Sequence, residues 1–156
     1  MSNIKMVISD FDGIFTDNSI YIDEDGKISR KINFRDVMGV SLLIKNGFKF
    51  GIISGEKNSA IELIKKTFNL EEVHQGIRKK IDVLQDIMER NHLSKEEIIY
   101  IGDDVNDIDC LEYVDNKYTV SNGIDKVKNI KNIKITKLSG GKGAFREISD
   151  EIISSK

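Results

Sequence analysis

Short runs of Ile, Val and Phe alternate along this chain with longer stretches whose apolar residues recur at helical spacing. Residues 4–9 (IKMVIS) make the first run and stop at an acidic cluster. Residues 19–22 and 27–34, joined by the acidic, Gly-ending turn 23–26, predict a β-hairpin. Residues 36–46 then place Val37, Val40, Leu43 and Ile44 on one helical stripe, with Gly47 as the stop. Residues 48–53 (FKFGII) predict a buried strand. Helical spacing returns in residues 60–68 and 81–88, with a short strand expected at 72–74 between them. Ser94 and Glu97 have the form of a capping box for a short turn before a strand at 98–101 (IIYI). An acidic loop and a helix through Tyr113 follow, then short strands at 117–120 and 133–135 and a final helix from about 144 to 153.

Strand–helix alternation of this kind predicts an α/β fold, a doubly wound and mostly parallel sheet covered on both faces. In such sheets ligands bind beyond the carboxyl ends of the strands. Three of the apolar runs end in polar residues: Asp10-Phe11-Asp12-Gly13, Ser54-Gly55 and Gly102-Asp103-Asp104. Parallel strands would bring all three ends to one edge. Any one of these Asp residues could simply cap a helix or open a turn. Capping does not require such residues at three successive strand ends, whereas converging carboxylates repel unless a cation neutralises them. Hard oxygen ligands select Mg²⁺ or a similar ion. Lys79 and Lys80 open a helix, where positive charge opposes the helix dipole; an anion shared with the metal would give them a reason to be there, and the alternative is a pair of solvated surface lysines.

Composition narrows the class. With 39% apolar and 32% charged residues in 156, the chain has the balance of one ordinary globular domain, and residues 1–156 are expected to form a single unit. Charges nearly cancel to a net −2, so electrostatic capture of nucleic acid or of an anionic membrane is not expected. One cysteine cannot make an internal disulfide, and no basic-plus-apolar leader opens the sequence. A cytoplasmic protein is expected.

The run Asp10 to Asp17 (DFDGIFTD) resembles the DxDGxxTD signature of the haloacid dehalogenase superfamily of phosphatases. Ser54, Lys80 and the run 102–107 (GDDVND) fit that family's second, third and fourth motifs in order. The resemblance implies a Rossmann-like core, an aspartyl-phosphate mechanism and Mg²⁺. It makes Asp10 the nucleophile and Asp12 the general acid and base. Metal ligands would be Asp10, Asp103 and the Asp12 carbonyl, while Ser54, Lys80 and backbone N–H groups near Gly13 and Gly55 would hold the phosphoryl oxygens. Asp104 and Asp107 would orient Lys80 or metal-bound water.

Family members commonly carry a cap domain after the first or second motif. Here residues 13–53 are used by the hairpin and one helix, and residues 55–79 by a helix and short strand, so no cap is expected. Residues 19–39 resemble the hairpin and turn of the capless sugar-acid phosphatases, which act on 3-deoxy-manno-octulosonate 8-phosphate or nonulosonate 9-phosphates. The stretch 139–147 (SGGKGAFRE) resembles that group's tail. This implies a homotetramer and makes Arg35 and Arg146 candidates for the substrate carboxylate or phosphate. Two departures stand out. Val37 follows Asp36 where the group usually has a glycine or small residue, and Glu56 follows Ser54-Gly55 where octulosonate phosphatases commonly carry Arg. Glu56 is more like the nonulosonate enzymes, and the reading leans slightly to nine-carbon acids. Two other classes compete: a phospho-acceptor receiver domain, which places its acceptor Asp on a different strand, and a non-catalytic assembly domain, which commonly loses motif residues.

Overall fold

The computed structural model describes residues 3–156. Strands β1 (Met6–Ser9), β4 (Lys49–Ile53), β5 (Glu72–His74), β6 (Ile98–Ile101), β7 (Asn116–Thr119) and β8 (Lys134–Ile135) form one sheet in the order β5-β4-β1-β6-β7-β8, every pair parallel. Strands β2 (Tyr21–Ile22) and β3 (Ile28–Ser29) form a separate antiparallel hairpin. The chain builds outward from β1 to β4 and β5, then restarts at β6 on the other side of β1. That reversal leaves a crevice at the carboxyl end of β1.

Burial on both faces explains why the central strands are continuously apolar rather than alternating. Val7, Phe50, Ile99 and Ile101 turn to one core, where helices α1 (Phe34–Lys45), α2 (Ser59–Phe68) and α6 (Ala144–Ser154) pack. Met6, Ile8, Ile53, Ile98 and Tyr100 turn to the other, covered by α3 (Lys80–Arg90), α4 (Ile108–Tyr113) and α5 (Asp125–Lys128). Phe11, Phe15, Phe50 and Phe145 pack together in the first core, Phe11 stacked on Phe15 and Phe145 edge-on to Phe50, with Phe15 and Phe145 ring centroids 4.4 Å apart. Cys110 is a buried core residue of the second.

The doubly wound parallel sheet expected from the alternation is present, and among the described residues the hairpin is the folded segment inserted between β1 and α1. The hairpin is shorter than its pattern. Asp23 Oδ1 accepts N–H bonds from Asp25 and Lys27 and ties the turn tightly. At the other end Asn33 caps α1 by accepting from Arg35 N–H, which draws the chain into helix two residues early. Helix α5 has no counterpart in the sequence pattern, since one turn is too short to carry a periodic signal. Ser94 and Glu97 close a turn through Ser94 N–H to the Glu97 carboxylate, and β6 follows at once. No helix among the described residues is long and apolar enough to cross a membrane.

Helix α6 is anchored by an acid from another helix. Asp36, wholly buried in α1, accepts from Gly143 N–H at 3.3 Å and Arg146 N–H at 3.0 Å. These donors have no partner within α6, and the carboxylate also meets the positive end of the helix dipole. Burial raises the Asp36 pKa from its usual value, against the pull of these hydrogen bonds. Replacing Asp36 with Ala is expected to cost about 2 kcal/mol, because buried N–H groups lose an ionised acceptor. Urea denaturation measures it, and a loss below about 0.5 kcal/mol would show that water substitutes for the carboxylate.

Candidate active site

Three strand ends converge at the crevice beside β1. Asp10 follows β1 and is fixed by its N–H bond to Ile101 O at 2.9 Å. Ser54 follows β4, held by its N–H to His74 O at 2.8 Å, and Asp103 follows β6 after Gly102. They share a cleft of about 560 Å³ with Asp12, Gly55 and Asp104.

Lys80 sits at the centre. Its side chain, at the first turn of α3, is entirely buried, and Nζ lies 3.0 Å from Asp10 Oδ1 and 2.8 Å from Asp107 Oδ1. Burial alone would lower its pKa. Asp107 and Asp10 outweigh that and hold the ammonium above its ordinary value, so Lys80 stays charged. Asp107 is fully engaged: Oδ1 also accepts from the Tyr100 hydroxyl at 2.8 Å, and Oδ2 accepts from the N–H groups of Asp103 and Asp104. Gly102 makes room for it, since a β-carbon there would collide with the Asp107 side chain.

Asp103 is the opposite case. Its Oδ2 accepts from Asn18 Nδ2 at 3.0 Å, but its Oδ1 is buried with no partner. Burial and the nearby Asp107 charge push its pKa up to about 6. Asp10 is raised as well, first by burial and then by Asp107, with Lys80 pulling the other way. Ligand atoms of Asp10, Asp103 and Asp107 lie within 4.8 Å of one another. Of these, Asp107 has its oxygens occupied, so a cation would be served by Asp10 and by the orphaned oxygen of Asp103. Two buried carboxylates of raised pKa and one unpaired oxygen fit a hard divalent ion. Gly13, at φ +88°, sits where any β-carbon would strike Asp103 Oδ2.

Asp12 lines the same cleft but takes its hydrogen bonds from other residues. Its Oδ1 accepts from Thr16 Oγ1 at 3.1 Å and from Arg30 Nε at 3.0 Å, the latter reaching in from the segment after the hairpin. Ser54 is buried, and its hydroxyl donates to Glu56 O and accepts from Glu56 N–H, closing the loop that places Glu56 at the cleft wall. Lys79 is exposed and pairs with Asp82.

Arg35 and Arg146 are not brought into this cleft. Both line a separate concavity of about 430 Å³ with Lys142, and Arg146 Nε pairs with Asp150 at 2.8 Å. The reason is the Asp36 anchor, which ties α1 to the start of α6 and carries the neighbouring Arg35 with it. Asn18, Arg30, Arg78 and Tyr100 join or border the site although no sequence motif marks them, and Asn106, inside the GDDVND run, lines it with no role expected from the sequence. Asn18 carries one signal, an Asn directly after the first motif, and it does adopt a left-handed conformation at φ +68°. Arg30, Arg78 and Tyr100 arrive from separate elements with no motif spacing to reveal them.

Residues 50–143 match the profile of the haloacid dehalogenase-like hydrolases, a range that takes in Ser54, Lys80 and Asp103. The whole chain is 28% identical to the 3-deoxy-D-manno-octulosonate 8-phosphate phosphatase of Haemophilus influenzae, covering 86% of that protein. Among solved structures, a probable YrbI family phosphatase from Pseudomonas syringae superposes with a TM-score of 0.93 at 33% identity, over 98% of this chain and 86% of that one. The octulosonate 8-phosphate phosphatase of Moraxella catarrhalis, solved with magnesium, phosphate and KDO, superposes with a TM-score of 0.93 at 25% identity, over 99% of this chain and 88% of that one.

Proposed function

This chain belongs to the haloacid dehalogenase-like hydrolases, and on that premise we propose that it is a Mg²⁺-dependent phosphatase of a phosphorylated 2-keto-3-deoxy sugar acid. The observation that carries the reading is the Lys80-bridged pair of Asp10 and Asp107 beside the unpartnered Asp103 oxygen. It supplies a nucleophile, a fixed cation and a metal seat at one point.

In this reading the Asp10 Oδ1 is held by Lys80 and the Phe11 N–H, leaving Oδ2 to attack phosphorus. The bond from phosphorus to the sugar oxygen breaks as the aspartyl-phosphate forms, and Asp12 protonates the departing alkoxide. Asp12 then takes a proton from water, whose oxygen attacks the phosphorus and returns Asp10 as a carboxylate with inorganic phosphate. Mg²⁺ held by Asp10, Asp103 and the Asp12 carbonyl would offset charge between an anionic nucleophile and a dianionic phosphate. Ser54, Lys80 and backbone N–H groups around Gly13 and Gly55 steady the phosphoryl oxygens, while Asp104 and Asp107 orient the residues around them.

The sugar acid is read from the likeness to octulosonate phosphatases, supported by the hairpin and the absence of a cap. Octulosonate 8-phosphate is the first candidate. A nonulosonate 9-phosphate is the second, favoured by Glu56 on the cleft wall, whose carboxylate accepts from sugar hydroxyls. We further place the chain in a homotetramer, as a single phosphatase unit over residues 1–156. Exposed Ile20, Tyr21, Ile22 and Ile28 on the hairpin support a partner surface there. A single cysteine fits a reducing compartment, and on that ground the enzyme is placed in the cytoplasm.

Phosphate release from octulosonate 8-phosphate, nonulosonate 9-phosphates and hexose phosphates, with Mg²⁺ or with EDTA, tests the reading. One sugar-acid ester is expected to exceed the hexose phosphates by about 10-fold or more in kcat/KM, as charged-group recognition permits. EDTA is expected to abolish all turnover. Even, weak hydrolysis would keep the chemistry and discard the substrate. No release would return the chain to an assembly role.

A further inference from the structure

Two clefts adjoin at the hairpin. The one holding Asp10 shares Glu56 with a second, of about 580 Å³, walled by Ile28, Ile32, Ala60 and Leu63. Arg30 stands between them. It lines the second cleft and reaches into the first to bond Asp12 Oδ1 through Nε at 3.0 Å. Its side chain is only 13% exposed, yet its two terminal nitrogens donate to no acceptor among the described residues. Four of its five N–H donors are thus without protein partners among the described residues and open to a ligand. Asn58, on the same wall, has a buried Nδ2 that also lacks an acceptor.

Unsatisfied donors beside an apolar wall are matched by a ligand with an anionic end and C–H faces. Inorganic phosphate has no C–H face, and its place is at Asp10. The planar guanidinium fork takes a carboxylate through two parallel bonds. Lys57 adds a second positive charge to the same cleft.

We propose that Arg30 is a specificity-determining residue that binds the carboxylate of the leaving sugar acid. This rests on the sugar-acid phosphatase reading. Arg30 Nε and Thr16 Oγ1 share Asp12 Oδ1, which orients the guanidinium and leaves Asp12 Oδ2 for the departing oxygen. A sugar acid offers the unpaired terminal nitrogens of Arg30 a two-pronged partner. A neutral sugar ester offers no such partner. Discrimination between acid and neutral sugars thus comes from one side chain that is matched only by the acid.

The experiment compares Arg30→Gln and Arg30→Lys with the wild type on three esters: the preferred sugar-acid phosphate, a hexose 6-phosphate and p-nitrophenyl phosphate. Both sugar esters have poor leaving groups that need Asp12, whereas p-nitrophenol needs no proton. Calorimetric binding of the dephosphorylated sugar acid gives a second readout. Arg30→Gln is expected to lower the ratio of kcat/KM for the sugar acid over the hexose by about 10- to 100-fold, mainly through KM, and to weaken binding of the free acid similarly. Arg30→Lys is expected to restore part of both. An unchanged ratio in a wild-type-like fold overturns the proposal. So does an equal loss on both sugar esters relative to p-nitrophenyl phosphate, which would confine Arg30 to positioning Asp12. A wild type with no preference for the acid would fell the substrate reading and this proposal together. A preference that survives Arg30→Gln fells this proposal alone.

Discussion

Asp10→Asn is expected to lower kcat by roughly 10⁴-fold or more while the fold stays intact. The amide is nearly isosteric, so the Phe11 N–H bond at 2.7 Å and the packing of the β1 end survive. What is lost is the oxygen nucleophile, and no neighbouring group can take its place. Asp103 follows another strand and is held by Asn18, while Asp107 is saturated by four donors. The stability consequence has a definite sign. Burial and the Asp107 charge already disfavour ionised Asp10, so a neutral side chain relieves repulsion even as it loosens one Lys80 contact. Thermal unfolding in EDTA is therefore expected to match or exceed the wild type. Rate measurements on the best sugar-acid ester check the first part. Retention of more than about 1% of kcat would remove Asp10 from the nucleophile's role.

Lys80→Met has the largest expected effect on stability, a loss of about 3–5 kcal/mol together with nearly all activity. The methionine fills the space but removes the ammonium between the buried carboxylates of Asp10 and Asp107. Two buried carboxylates without their cation must take up a proton or admit water. The effect is electrostatic, so adding Asp107→Asn to Lys80→Met is expected to recover about half of the loss without recovering turnover. Mg²⁺ is expected to soften the single variant's defect, because a bound cation replaces part of the missing charge. Urea denaturation of wild type, single and double variants, in EDTA and in Mg²⁺, separates these contributions. A loss below about 1 kcal/mol for Lys80→Met would show that the buried pair is not held together by Lys80. Should the single variant not fold, the double variant still decides, since only an electrostatic cause lets a second polar change restore folding.

Both experiments act on residues that the order of motifs along the chain already marks. Asp10, Asp12, Ser54, Lys80 and Asp103 stand at the ends of strands or the start of a helix in a fixed order. The parallel sheet is legible for a related reason. Strands buried on both faces must be apolar at every position, as in Ile98–Ile101, and such runs between helical stripes leave few topologies open. Shorter elements are harder to read. A two-residue strand such as Ile28–Ser29 has no period, and its extent is settled by Asn33 capping the next helix.

The chain's own pattern therefore determined the layer architecture, the edge at which the chemistry lies and the carboxylates gathered there, because each follows from local period or from order along strands, while Lys80 is marked only by the motif resemblance. Tertiary structure alone decided how these groups are shared. Asp107 is filled by Lys80, Tyr100 and two backbone N–H groups, whereas Asp103 keeps an unpartnered oxygen; the resemblance to the family motif gives the two different roles, but these bonds come from the packing alone. It also decided that Arg30 meets Asp12 while Arg35 and Arg146 lie elsewhere, a sorting made by the Asp36 tie between α1 and α6. A side chain's partner is set by which elements pack beside it, and that information is spread over the whole chain rather than written next to the residue.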